Sequence, residues 1–273
     1  MMKTKVGYIG LGDIGEGMAK NLARTGYGLT IKSPRSLQGK AREEFIKEFQ
    51  QLGSVKAVST CKEVAANSDI VFSAVRDDAE THEVMWGEDG VLAGITSGSI
   101  IVIISTVSPA ICQKLAQDGS KMDVAVIDAP VSGGHAGARD GTLTLIVGGQ
   151  RNAFDRIEPV LKTVGKNIFY LGDVGMGQIA KLTNQMMLGC NEMAAAEALS
   201  FAVKAGIPLE TIFDVIKVSS GRSWAIENWE RFLRPPTLVR KDCNLAVEYA
   251  NGIGAKLPLT SLVTQLDVHE LLR

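Results

Sequence analysis

Residues 6–26 read VGYIGLGDIGEGMAKNLARTG. The short apolar run over 6–10 predicts a buried strand. Ile14, Met18 and Leu22 then recur every four residues, the spacing of one helix face, and Gly26 supplies a helix stop. Between strand and helix lies Gly10-Leu11-Gly12-Asp13-Ile14-Gly15. Three glycines at this spacing are a weak signal alone, because glycine is common in turns. Here they follow a strand and open a helix, the context that a dinucleotide-binding loop requires. Gly10 would allow the tight turn, Gly12 the approach of a pyrophosphate, and Gly15 close packing of helix on strand. The N–H groups at the helix start would face the phosphates. The competing interpretation is an ordinary strand-to-helix turn that binds nothing.

The next strand, 29–32, runs into Ser33-Pro34-Arg35-Ser36. A site for NAD places Asp or Glu at the end of this strand to accept from the ribose 2′-OH. That position falls at Ser33, and no acid occupies 32–36. Ser33 and Arg35, with Lys32 and Ser36, suit a 2′-phosphate, which a carboxylate would repel and the planar guanidinium fork would hold. The expectation is therefore NADP, with NAD as the alternative. A solvated turn without a ligand is the other interpretation of these side chains.

Further apolar runs at 69–75, 100–104, 124–128 and 142–147 predict strands, and 43–52 and 109–117 predict helices. Strand and helix alternate, which argues for a parallel, doubly wound sheet. The pattern changes near residue 175. Leu182, Met186, Gly189, Met193, Ala196, Leu199 and Val203 follow helical spacing through 178–206, a segment without proline. Helical patterns continue at 209–219, 225–233 and 244–253, and no strand pattern interrupts them. The expected architecture is α/β. A doubly wound Rossmann domain over 1–174 is followed over 175–273 by a long helix leading into an all-helical domain.

With 273 residues the chain is long enough to bury a core without disulfide or metal staples. Lys and Arg number 29 against 30 Asp and Glu, and this balance argues against a nucleic-acid partner. No apolar run reaches the roughly 18 residues of a membrane span. The N-terminus, Met1-Met2-Lys3-Thr4-Lys5, does not read as a secretory signal. Cys61, Cys112, Cys190 and Cys243 are too far apart for a CxxC pair, and His82, His135 and His269 are isolated. Reduced thiols, no metal and a cytoplasmic location are the expectations.

Two further segments carry chemistry. Asp128-Ala129-Pro130-Val131-Ser132-Gly133-Gly134 follows a predicted strand. A nucleophilic serine would need glycine at 130, where proline stands. An anion cradle fits better, with the Ser132 hydroxyl and the N–H groups of Gly133 and Gly134 donating to a carboxylate. A plain glycine turn is the alternative. On the long helix, Lys181, Asn184 and Gln185 stand at i, i+3 and i+4 and share a face. A lysine beside two amides is suited to proton transfer, and burial beside a cofactor would lower its pKa. From periodicity alone, a solvent-facing lysine is the stronger interpretation.

Four blocks resemble one family in order and spacing, the β-hydroxyacid dehydrogenases. Residues 10–26 are similar to its opening GLGxMGxxMAxNLxxxG, with Ile14 where Met is usual. Ser105-Thr106-Val107-Ser108-Pro109 resembles its STVSP, residues 128–149 its DAPVSGG segment, and GMGQIAKLTN at 175–184 its GxGxxxKxxN. Lys241-Asp242 with Leu245-Ala246 is a weaker match to its KDLxLA. The resemblance implies two-domain, dimeric or tetrameric enzymes that move a hydride between a nicotinamide and a short β-hydroxy acid or its aldehyde acid. Carried over, Lys181 would be the general acid/base, and Ser132, Gly133 and Gly134 would hold the substrate carboxylate. Thr106 would lie beside nicotinamide and substrate, and Lys241 would approach the cofactor. Asn184 matches the family's first Asn, whereas Gln185 stands where a second Asn is usual. That longer amide bears on substrate size or orientation.

At Val75-Arg76 the family reads Leu-Pro, so the resemblance places a charge beside the cofactor cleft, where Arg76 could contact phosphate. The chain also stops at Arg273, short of a further helical stretch usual in the family. An imine reductase of the same architecture usually lacks the helix lysine. A non-catalytic NADP-binding module loses it too, and a chromatin reader would add a basic segment. A 6-phosphogluconate dehydrogenase carries His-Asn after its lysine and a larger helical domain. In the helical domain Arg222 could pair a second substrate carboxylate or be a surface charge.

Overall fold

The computed structural model describes residues 4–34, 36–231 and 238–271. The chain divides into two compact units, 1–181 and 182–273. In the first, strands and helices alternate: β1 (Lys5–Ile9), α1 (Asp13–Arg24), β2 (Gly28–Lys32), α2 (Gly39–Leu52), β3 (Val55–Val58), α3 (Cys61–Ala66), β4 (Ile70–Ser73) and α4 (Asp78–Trp86). Then come β5 (Ile100–Ile103), α5 (Pro109–Ser120), β6 (Ala125–Asp128), β7 (Val131–Ser132), α6 (Gly134–Asp140), β8 (Leu143–Gly149), α7 (Arg151–Leu161) and β9 (Gly165–Tyr170). The helix α8 (Met176–Lys204) begins in this unit and ends in the next.

The six leading strands pair in parallel in the order β3-β2-β1-β4-β5-β6. That is the doubly wound order, with its reversal between β1 and β4. Both sheet faces are covered, so β4 and β5 are buried along their whole length. The period-two alternation sorts their side chains. Ile100 and Val102 join one core with Tyr8, Leu22 and Phe72, while Ile101 and Ile103 join another with Ile9, Val71 and Leu115.

The sheet departs from the all-parallel expectation at β8, which runs antiparallel to β6 and β7. The cause lies in α6, which has only seven residues and packs tightly on α1. A side chain at Gly17 would come within 2.8–3.0 Å of the Ala138–Arg139 backbone, and Asn21 Nδ2 donates to the Ala138 carbonyl at 2.9 Å. The chain thus turns back at left-handed Gly141 without first crossing to the far sheet edge. Three strands absent from the expectation, β3, β7 and β9, also appear.

In the second unit α8 is followed by α9 (Leu209–Lys217), α10 (Trp224–Glu227), α11 (Leu238–Ile253), α12 (Pro258–Val263) and α13 (Val268–Leu271). The helix expected over 225–233 is instead the short α10, N-capped by Ser223, and a 3₁₀ turn at Trp229–Arg231. Residues 232 and 233 lie outside the described residues. Ala195, Ala196, Leu199, Ala225, Ile226 and Trp229 form the local core. Gly189 lets α8 approach its neighbours, since a side chain there would lie 2.9 Å from Cys243 Sγ and 3.2 Å from Val239. Val203 is exposed, and Ala202 is the buried residue at that turn. Among the described residues no helix is long and apolar enough to cross a membrane.

Candidate functional site

The glycine loop sits at the switch point of the sheet. Gly10 follows β1 with φ +91°, a left-handed conformation that disfavours other residues. A side chain there would run into the Ala74 carbonyl at the end of β4, and one at Gly15 into the Gly10 carbonyl. Gly12 differs. It is the N-cap of α1 in extended conformation, and a side chain there would meet nothing within 4 Å. Fold closure therefore explains Gly10 and Gly15 but not Gly12. Open space beside a helix N-terminus is what a pyrophosphate requires, so these residues fit a dinucleotide. Ile14 is half-buried and packs with Leu11 against the core, while Asp13 faces solvent.

Ser33 continues β2 and is half-buried, and its N–H donates to the Val58 carbonyl at 2.9 Å. Arg35 lies outside the described residues. Val75 follows β4 and is half-buried. The Arg76 side chain is 84% exposed and ion-paired with Glu80 at 3.3 Å, so any phosphate would compete with that carboxylate. Thr106 is half-buried in the loop between β5 and α5. Ser132 forms part of β7, with Gly133 (φ +123°) and Gly134 (φ +62°) starting α6. All these residues follow the C-terminal ends of the parallel strands, the edge where open α/β sheets bind ligands. The contacts of Gly17 and Asn21 on α6 fasten the glycine-loop helix to the element that follows Ser132.

Lys181 is buried, with 8% exposure, on the second turn of α8. This settles its burial against the solvent-facing interpretation. The root of α8 is held by Asp128 at the end of β6, whose carboxylate accepts from the N–H groups of Gly175 at 2.7 Å and Gln178 at 2.8 Å. Burial pushes the Asp128 carboxyl above its usual range, and these backbone donors oppose the shift. The Gln178 side chain, fully buried, spans the backbone on either side of Thr106. Neither Asp128 nor Gln178 was nominated for the site by sequence. Their partners lie some fifty to seventy residues away, and no local pattern announces them.

In the second unit, Gln185 is buried and its Nε2 donates to Asp242 at 2.7 Å, while its Oε1 accepts from Asn184 at 3.1 Å. Lys241 pairs with the same Asp242 at 3.0 Å. Asn184, Gln185 and Lys241 are thus linked through buried Asp242, although Asn184 itself is exposed. Glu192 is buried, and burial raises its carboxyl to about 7. Arg222 is exposed and pairs with Glu227 at 3.3 Å.

A cavity of about 270 Å³ lies elsewhere, lined by Ser99, Ser120, Val124, Ala125 and Arg156 among others. It opens at the N-terminal ends of β5 and β6, and none of the residues nominated from sequence lines it.

The fold and the glycine loop define a Rossmann-type dinucleotide-binding protein, and its family places it among the nicotinamide-dependent oxidoreductases. Residues 5–172 match the family model of the NAD-binding domain of 6-phosphogluconate dehydrogenase. Residues 175–269 match that described as NAD-binding of NADP-dependent 3-hydroxyisobutyrate dehydrogenase. The chain belongs to the β-hydroxyacid dehydrogenase family. It is 37% identical over 271 residues to 2-(hydroxymethyl)glutarate dehydrogenase of Eubacterium barkeri, covering 96% of this chain and 87% of that one. It is 36% identical over 270 residues to 2-hydroxy-3-oxopropionate reductase of Escherichia coli K12, covering 96% and 89%. The crystal structure of 3-hydroxyisobutyrate dehydrogenase from Salmonella typhimurium superposes with a TM-score of 0.83 at 30% identity, covering 96% and 92%.

Proposed function

We propose that this enzyme moves a hydride between nicotinamide C4 and the hydroxyl-bearing carbon of a short β-hydroxy acid or its aldehyde acid, with Lys181 as general acid/base. The observation that carries this reading is the buried Lys181 on a helix rooted at the ligand-binding edge of the sheet. The nicotinamide, when bound, accepts or gives the hydride. The neutral lysine amine takes the hydroxyl proton as the carbon loses hydride, and the ammonium returns it in the reductive direction. Ser132, Gly133 and Gly134 hold the carboxylate, and Thr106 flanks the reacting carbon. The family resemblance assigns Asn184 and Gln185 to the substrate and Lys241 to the cofactor.

The cofactor is NADP in preference to NAD, because the 2′-hydroxyl position carries Ser33 and not an acid. No disulfide joins the four cysteines, which is compatible with a reducing compartment, and the cytoplasm is the proposed location. A homodimer or homotetramer is supported by large apolar side chains exposed on the helical unit, among them Phe201 at 77% and Val218 at 88%.

Steady-state kinetics on Lys181→Ala test the assignment. General acid/base help is typically worth about 10²–10⁴ in rate, so kcat should fall at least 10²-fold while the NADPH Kd stays nearly unchanged. Lys181→Arg should not rescue, since guanidinium stays protonated. Near-normal kcat in Lys181→Ala would remove the lysine from the mechanism.

A further inference from the structure

We propose that Gln178 is a positioning residue that holds Thr106 and Lys181 in one fixed relation, an inference that rests on reading Lys181 as the acid/base group. Gln178 has no exposed surface. Its Nε2 donates to the Ser105 carbonyl at 2.8 Å, and its Oε1 accepts from the Val107 N–H at 3.1 Å. The two bonds bracket Thr106. An amide has a donor at one end and an acceptor at the other, so it meets this pair in one orientation only.

The backbone of the same residue is fixed independently. Its N–H donates to Asp128 Oδ2 at 2.8 Å, and the N–H of Gly175 donates to Oδ1 at 2.7 Å. Asp128 is buried at the end of β6, and glycines at 148 and 177 leave room for it. Side chains at those positions would lie 2.7 and 2.8 Å from its oxygens. Lys181 follows Gln178 by three residues and shares its helix face. The loop is also anchored by the Ser108 N–H, which donates to Asp78 Oδ1 at 2.9 Å. Gln178 thus links the helix bearing the lysine to the loop bearing Thr106.

Proton and hydride transfer both depend on near-attack geometry, and a misplacement of about 1 Å costs on the order of 10²-fold. Gln178→Met keeps the volume and removes both bonds. It should lower kcat by about 10–100-fold and raise the substrate deuterium isotope effect, leaving KM and the NADPH Kd within about threefold. The substrate is racemic 3-hydroxyisobutyrate or glycerate, whichever the unmodified enzyme turns over faster. Without any substrate or cofactor, amide exchange at Val107 should accelerate.

Gln178→Glu gives the pH readout. As a neutral acid it restores a donor toward Ser105 and an acceptor toward Val107; as a carboxylate it faces the carbonyl and repels it. Its kcat relative to the unmodified enzyme should therefore recover as pH falls from about 8.5 to about 5.5. A merely structural role predicts activity lost in proportion to unfolded protein, with a flat pH ratio and an unchanged isotope effect. Either that pattern, or a folded Gln178→Met with kcat within about threefold of the unmodified enzyme, overturns the inference. Should Gln178→Met fail to fold, the Gln178→Glu pH ratio decides. Lys181→Ala run alongside separates the two failures. If it is inactive while the Gln178 variants are normal, only the positioning role falls.

Discussion

Replacing Gly12 and Gly15 separately with alanine divides folding from cofactor binding. At Gly15 the new methyl meets the Gly10 carbonyl, and Ala74 Cβ lies 3.3 Å away. Overpacking costs about 1–3 kcal/mol, and a clash with backbone belongs at the top of that range. The helix preference of alanine returns about 1 kcal/mol. Gly15→Ala should therefore lose about 2 kcal/mol, or roughly 4–8 °C in melting temperature for a chain of this size. At Gly12 the backbone has φ −82° and ψ −168°, which alanine adopts freely, and the methyl enters open space. Stability should change by less than about 1 kcal/mol. That space is where the pyrophosphate would lie against the helix N-terminus. Displacing it forfeits a charge-assisted hydrogen bond of about 1.5–3 kcal/mol, so the NADPH Kd should rise roughly 10–100-fold. Thermal melts without cofactor and fluorescence titration with NADPH measure the two effects. Two results would refute the reasoning: Gly12→Ala binding NADPH within about twofold of the unmodified protein, or Gly15→Ala melting no lower than it.

Ser33→Asp should reverse the proposed preference for NADP by setting a carboxylate where the 2′-phosphate would lie; a tighter Kd for NADH than NADPH in the unmodified protein would contradict the proposal. Glu192 has a folded pKa of about 7, above the unfolded carboxylate range, so its cost is present above that pH and relieved as pH falls toward about 4.5. Glu192→Gln should accordingly stabilise by on the order of 1 kcal/mol at about pH 8 and by nothing measurable near pH 5, read from urea unfolding. Light scattering at micromolar protein should give a species of at least twice the monomer's 29.1 kDa. A monomer alone would leave the exposed apolar side chains of the helical unit without the proposed partner.

Sequence made the buried strands legible because a strand covered on both faces is an uninterrupted apolar run, as at 70–72 and 100–103. The edge strands escaped for the converse reason. Val-Lys-Ala-Val at β3 and Gly-Lys-Asn-Ile-Phe-Tyr at β9 are only partly buried and mix polar with apolar residues. Nor does an apolar run carry a direction. The reversal of β8 depends on α6 packing against α1, a contact between segments about 120 residues apart. At the site, the glycine loop announced itself through strand and helix context, whereas Asp128 and Gln178 act on distant backbone groups. Glu192 shows the limit of reading charge as exposure, since its burial is set by packing within the helical unit.

The boundary between the compact units falls inside α8, directly after Lys181. The lysine therefore belongs with the nucleotide half, to which Asp128 fastens the start of its helix, while Asn184, Gln185 and Asp242 belong with the other half. Such a seam suits divergence by exchange of parts. A recombinant joined at 181/182 would inherit Lys181, the proposed acid/base group, from one parent and the proposed substrate amides Asn184 and Gln185 from the other. New substrates could then arise by swapping the helical half, with the reaction chemistry passed on intact.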